Sequence, residues 1–287
     1  MNDSKTILVT GGTGNQGGGV AKKLSAAGFK VKVLTRNTAS VKAVDLQKLN
    51  IELVKGDLDD AESYRQHLKD VYGVFSVQAL EKNSAKEIKQ GTMLPTLAKE
   101  AGVQHFLYSS VIGANSITGI PHFDSKHTIE NHIKSTGLLY TIIRPASFYE
   151  NFLIPQVKSG ILKGKLVQPI NGETVQQYIA AADVGIVARK IFEHPEMYMH
   201  KTLPLAAEQL STYEVAEIFS QAMNRKIVYK KLPGLIVKIF MGKNLYKMFK
   251  WVDNGNMAEK EVLQSTKESF PGLSDLKTWV QQNFKAT

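Results

Sequence analysis

Apolar and polar positions along the chain recur with two periods. Ile7, Leu8 and Val9 make a short apolar run that ends in glycines, and Val20, Leu24 and Ala27 then follow at helical spacing up to Gly28. That order is strand, tight turn, helix. The pattern predicts a second strand over 31–35, a helix over 41–49 and a third strand over 51–56. Asp57, Asp59 and Asp60 come next, where first-turn acids suit the dipole of a helix running through Tyr64 and Leu68. A fourth strand over 74–78 precedes a helix over 87–100, bent by Pro95 and closed by Gly102. Fifth and sixth strands are predicted over 104–110 and 139–145. Strands and helices alternating at this spacing imply an α/β fold, a doubly wound parallel sheet with ligands at the strand carboxyl ends.

The second half is less regular. Residues 160–172 are turn-rich, and Asp183 opens a helix through Ile191. A helix over 212–223 has Thr212 as its expected cap and Val215, Ile218, Phe219 and Met223 as its apolar face. The expected organisation is a nucleotide domain over 1–153 and a smaller, mainly helical region over 154–287, with about 176–206 returning to the first. Residues 225–250 hold eight lysines or arginines and no acid, interleaved with Leu235, Ile236, Ile239, Phe240, Leu245, Met248 and Phe249. This stretch reads as a lid over a substrate pocket, or as an interface with a protein partner or second subunit. No helix-turn-helix, zinc or RNA-recognition pattern supports nucleic-acid binding.

The first turn carries the clearest chemistry. Gly11, Gly14 and Gly17 stand in a G-x-x-G-x-x-G pattern between strand and helix. The first glycine permits the turn, the second lets backbone approach a pyrophosphate, and the third packs helix on strand. Free amides at the helix start then face phosphates. This is the opening of a Rossmann-type dinucleotide fold. Arg36, at the end of the second strand, occupies the place of the group that meets the adenosine ribose. An acid there bonds the 2′-hydroxyl of NAD, whereas an arginine accommodates the 2′-phosphate of NADP. Asp57, directly after the third strand, is placed to reach an adenine amino group. Gln78 ends the fourth strand beside the expected nicotinamide half.

Composition narrows the setting. The chain has 287 residues, 43% of them hydrophobic, which suits a sizeable core. It has no cysteine, so disulfides, thiolate nucleophiles and cysteine-bound metals are excluded. A cytoplasmic location is expected, since the chain enters a strand almost at once and no apolar run has the length of a membrane span. No metal-ligand cluster is seen. A net charge of +10 attracts phosphates, anionic cofactors, nucleic acid or membrane surfaces without choosing among them.

Three blocks sharpen the picture. Thr10-Gly11-Gly12-Thr13-Gly14, Gly56-Asp57-Leu58 and Tyr108-Ser109-Ser110 resemble an atypical short-chain dehydrogenase/reductase. More narrowly, Thr13-Gly14-Asn15-Gln16-Gly17-Gly18, His122-Phe123-Asp124-Ser125-Lys126 and Phe148-Tyr149-Glu150-Asn151 resemble the NmrA-like family. The resemblance is strong up to Asn151 and fainter to the tail around Phe270 and Trp279. It implies one of two kinds of protein: an NADPH-dependent reductase of quinones or plant phenylpropanoids, or an NADP(H)-binding regulator without catalysis. It implies cofactor contacts from Thr13, Asn15, Gln16, Leu58, Lys89, Phe148, Tyr149 and Asn151. Lys126 matches the lysine of the Tyr-x-x-x-Lys pair of typical short-chain reductases and is expected at the cofactor ribose or phosphate. His122 stands where the tyrosine would be. Histidine can serve as a general acid, yet a residue just after Pro121 is as easily a helix-start surface residue. Ser109 and Ser110 fall where such folds carry an active-site serine. The reading that results is a reductase of quinone-like or conjugated carbonyl substrates that prefers NADP(H) over NAD(H). The alternative is a redox sensor acting through a protein partner.

Overall fold

A computed structural model describes residues 5–79 and 83–284. The chain divides into two compact units, one of residues 1–144 and 181–203, the other of 145–180 and 204–287.

In the first unit the elements run β1 (Thr6–Val9), α1 (Asn15–Ala26), β2 (Lys30–Thr35), α2 (Val41–Gln47), β3 (Glu52–Lys55), α3 (Glu62–Arg65) and β4 (Gly73–Ser76). Then come α4 (Ser84–Glu100), β5 (His105–Ser109), α5 (Pro121–Ser135) and β6 (Tyr140–Pro145). Strands β1 to β6 pair in parallel, in the order β6-β5-β4-β1-β2-β3. Because β1 lies between β4 and β2, the strand order reverses there, and the crevice outside those carboxyl ends is where such sheets hold ligands. Ile7, Leu8 and Val9 are fully buried, as the continuous apolar run of a doubly covered strand requires.

The chain continues through β7 (Ser147–Phe148), α6 (Pro155–Leu162), β8 (Lys165–Gln168), β9 (Val175–Ile179), α7 (Val184–Glu193), α8 (Pro195–Tyr198) and β10 (Lys201–Leu205). Strand β10 extends the main sheet beside β6. Next are β11 (Glu208–Ser211), α9 (Thr212–Ala222), β12 (Val228–Lys231), α10 (Gly234–Ile236), α11 (Lys243–Asp253), α12 (Lys260–Ser269) and α13 (Leu276–Asn283). The second unit carries two small sheets, β11-β9-β7 and β12-β8. Its core is aromatic: Tyr149, Phe152, Tyr178, Phe219, Trp279 and Phe284 cluster there.

Two local expectations change and one is refined. Asp57 to Asp60 form a turn rather than a first helical turn, because the Ser63 hydroxyl bonds the Asp57 and Asp60 carbonyls and α3 starts only at Glu62. The turn-rich residues 160–172 also carry the end of α6 and the whole of β8. The cap of α9 is Ser211, not Thr212. Ser211 Oγ accepts from the Glu214 amide while the Glu214 carboxylate accepts from the Ser211 amide, a reciprocal capping box.

Candidate functional site

The site starts from the turn between β1 and α1. Gly11 has a φ of 62°, which a side-chain-bearing residue rarely adopts, and its carbonyl accepts from the Gly14 amide at 2.8 Å. A Cβ on Gly17 would stand 2.5 Å from the Thr10 carbonyl oxygen, so only glycine lets α1 approach this closely. Thr10 fixes the turn against β4: its hydroxyl donates to the Val77 carbonyl at 2.9 Å and accepts from the Val77 amide at 2.8 Å. Gly14 caps α1 without a side-chain bond, and the first turn holds no acid. The positive end of the helix dipole is thus left for an external anion. Thr13 is half-buried and Asn15 exposed on this turn.

Gln16 links the turn to β5, because Ser109 Oγ donates to Gln16 Oε1 at 2.7 Å. Ser110 is engaged elsewhere. It donates to Glu130 Oε1 at 2.6 Å, and the fully buried Glu130 also takes two bonds from the Arg144 guanidinium at 2.8 and 2.6 Å. Ser110 therefore belongs to a buried polar network that ties β5, α5 and β6 together. At the end of β4, buried Gln78 donates through Nε2 to Ser76 Oγ at 2.9 Å. Its Oε1 has no hydrogen-bond partner among the described residues.

Helix α5 begins at Pro121, whose missing N–H is no loss in a first turn, so His122 and Lys126 share one helical face. The Lys126 side chain is 7% exposed and its Nζ lies 2.7 Å from Oε1 of Glu87, itself 2% exposed. Ser125 Oγ donates to the other Glu87 oxygen at 2.6 Å. Lys126 Nζ also stands 5.7 Å from the centre of the Tyr108 ring. Tyr108 is wholly buried, and burial first, then Glu87 and Glu130, push its phenol well above its ordinary pKa. His122 is half-buried with its Nδ1 shielded and unbonded among the described residues. Burial and then the Lys126 charge hold its pKa below the usual imidazole value, against an opposing pull from Glu87. These surroundings favour the uncharged imidazole.

The other expected contacts lie further out. Arg36 is exposed just past the end of β2, and Lys89 is exposed on α4. Asp57 is half-buried, its carboxylate accepting from the Asp59 amide at 3.1 Å. The Leu58 side chain packs on the core. Phe148, Tyr149 and Asn151 fall in the second unit. Phe148 is half-buried and Asn151 exposed, whereas Tyr149 is fully buried, its hydroxyl donating to Glu208 at 2.6 Å and its ring stacked on Tyr178. The Tyr149 side chain is thus part of that unit's core.

Sequence reading missed Glu87, which holds Lys126. Its signal was present: Glu87, Gln90, Gly91, Leu94 and Ala98 follow one helical face, and all are buried. Glu130 sits in the same way among Phe123, Lys126, Ile129 and Ile133 on α5.

Fold and turn define the class, a Rossmann-type α/β protein with an uncapped helix start at the sheet's switch point. Within that class the chain belongs to the NmrA-like family, whose model matches residues 3–280. It is 31% identical to the NmrA-like family domain-containing oxidoreductase malD of Malbranchea aurantiaca, over 81% of this chain and 77% of that protein. It is 30% identical to an NAD(P)H azoreductase of Xenophilus azovorans, over 78% of this chain and 76% of the relative. Among solved structures, a Citrobacter triphenylmethane reductase complexed with NADP(H) superposes with a TM-score of 0.82 at 23% identity, covering 96% of this chain and 99% of that one. The negative transcriptional regulator NmrA in complex with NADP matches with a TM-score of 0.79 at 21% identity, over 98% and 96% of the two chains.

Proposed function

We propose that this chain is a cytoplasmic NADPH-dependent reductase of quinone-like or conjugated carbonyl substrates, with NADP(H) preferred over NAD(H). The observation that carries the reading is the bare amino terminus of α1, opened by the Gly11 turn at the sheet's switch point. The residues present fit a dinucleotide. Gly17 leaves room that a Cβ would fill, and the buried Gln78 Oε1 is an acceptor for an amide or hydroxyl donor. When bound, NADPH supplies the hydride. The α1 amides would bind its pyrophosphate, Arg36 would pair with the 2′-phosphate, and Lys126, oriented by Glu87, would hold the ribose. His122, half-buried and with its imidazolium disfavoured, is a poor replacement for a proton-donating phenol, so the chain favours acceptors that spread the incoming charge over their own π-system. The oxidoreductase and azoreductase relatives support the same class.

A second reading is a non-catalytic dinucleotide sensor. It is favoured by histidine in the place of the proton-donating tyrosine, and the NmrA regulator shares the fold. Adding a quinone to protein and NADPH separates the two. Sustained NADPH consumption is the expected result, and tight binding without consumption favours the sensor.

A further inference from the structure

The strongest one-signed stretch of the chain lies in the second unit, where residues 225–250 hold eight lysines or arginines and no acid. The same stretch exposes its apolar side chains. On α10 and the π-helical segment Val237–Met241 that continues it, Leu235, Ile239 and Phe240 are 69%, 65% and 81% exposed, while Val237 is buried at 1%. Beyond Gly242, α11 adds exposed Leu245 among exposed Lys243, Lys247 and Lys250. Large contiguous apolar groups facing water mark an interaction surface.

Charge narrows what covers it. A second copy would set this lysine-rich patch against itself in a two-fold contact, bringing like charges together. A nucleic acid would satisfy the lysines and leave Leu235, Ile239 and Phe240 unused. An anionic bilayer satisfies both sets at once. Aromatic and aliphatic side chains enter the boundary of headgroup and acyl chain, while lysines stretch to the phosphates. Among the described residues no helix is long and apolar enough to cross a membrane, so the contact would be one of lying on the surface. We propose that the ridge formed by Leu235, Ile239, Phe240 and the flanking Lys238, Lys243 and Lys247 docks this protein on an anionic phospholipid surface.

Sedimentation of the full chain with vesicles tests this, using phosphatidylcholine alone and phosphatidylcholine mixed with phosphatidylglycerol. The expected result is pelleting with the anionic vesicles, at least about tenfold weaker with the neutral ones and weakened by salt. Phe240→Glu and the double variant Lys243→Gln/Lys247→Gln should each lower the partition about tenfold or more, with unchanged melting temperatures. No pelleting with anionic vesicles, or pelleting that both variants leave intact, overturns the proposal. So does a dimer in lipid-free analytical ultracentrifugation that Phe240→Glu converts to monomer, since a second copy would then own the ridge.

Discussion

Lys126 shows how little a residue's name says about its role before its neighbours are known. An exposed helix lysine and a ligand-holding lysine have the same sequence signature. Here the ammonium is nearly buried, 2.7 Å from the Glu87 carboxylate, and the cost of desolvating such a pair is offset only by close geometry and further hydrogen bonds such as that from Ser125. Lys126→Ala should therefore weaken NADPH binding about tenfold or more in a fluorescence titration, the loss of one charge-assisted contact. An unchanged dissociation constant in a folded variant would remove Lys126 from the site. Arg36 has the opposite character, exposed and placed only by its strand end. Arg36→Ala should cost NADPH about 10- to 150-fold in affinity and leave NADH nearly unaffected. Equal affinity of the wild type for both cofactors would contradict the assigned preference.

His105 ties stability to pH. It is fully buried on β5 with Nε2 2.9 Å from the Thr141 hydroxyl, and burial lowers its pKa to about 4. The unfolded chain, titrating near 6.5, binds more protons than the fold between those two values. The stability tied to the neutral ring is thus complete above about pH 6.5 and is lost as the pH falls toward 4, by about 3 kcal/mol. Chemical denaturation of wild type and His105→Leu across that range checks it. The variant should show a shallower acid slope, and parallel slopes would contradict the assignment.

At the level of elements, β1 and α1 were the most legible, because one apolar run, three glycines and one amphipathic face point the same way. Caps and turns were less so. Ser211 and Thr212 are adjacent and chemically alike, and only Glu214 three residues after Ser211 distinguishes the capping residue. The aspartates at 57–60 have the composition of a helix start, and the Ser63 hydroxyl makes them a turn through contacts that periodicity does not encode. The join between α5 and β6 was hidden for a different reason. Nothing in the spacing of Glu130 and Arg144 pairs them, yet their bonds at 2.8 and 2.6 Å lie in the interior with Ser110. Removing Arg144 leaves the buried Glu130 carboxylate with the Ser110 hydroxyl at 2.6 Å and the half-exposed Lys134 at 3.6 Å in place of two guanidinium bonds, so Arg144→Met should destabilise the protein by about 3–5 kcal/mol in denaturant unfolding. A cost under about 1 kcal/mol would mark the pair as a surface-type bridge.

At the scale of the molecule, the first unit carries the glycine turn, Gln78, His122 and Lys126, whereas Phe148, Tyr149 and Asn151 belong to the second. Of the three, Tyr149 was the least legible. An aromatic in a motif serves a ligand or a core equally well in sequence, and the stacked Tyr178 ring places its side chain in the core. What the whole protein does turns on the missing tyrosine. A positioned acid contributes about 10²–10⁴-fold to a step that needs a proton. The most direct test is the rate of NADPH oxidation with a quinone and with a saturated ketone of matched size, for wild type and His122→Ala. The account predicts a kcat/KM for the quinone about 10²–10⁴-fold above that for the ketone, and a quinone rate that His122→Ala lowers by less than about tenfold. Comparable rates on both acceptors, or a quinone rate abolished in His122→Ala, would contradict it.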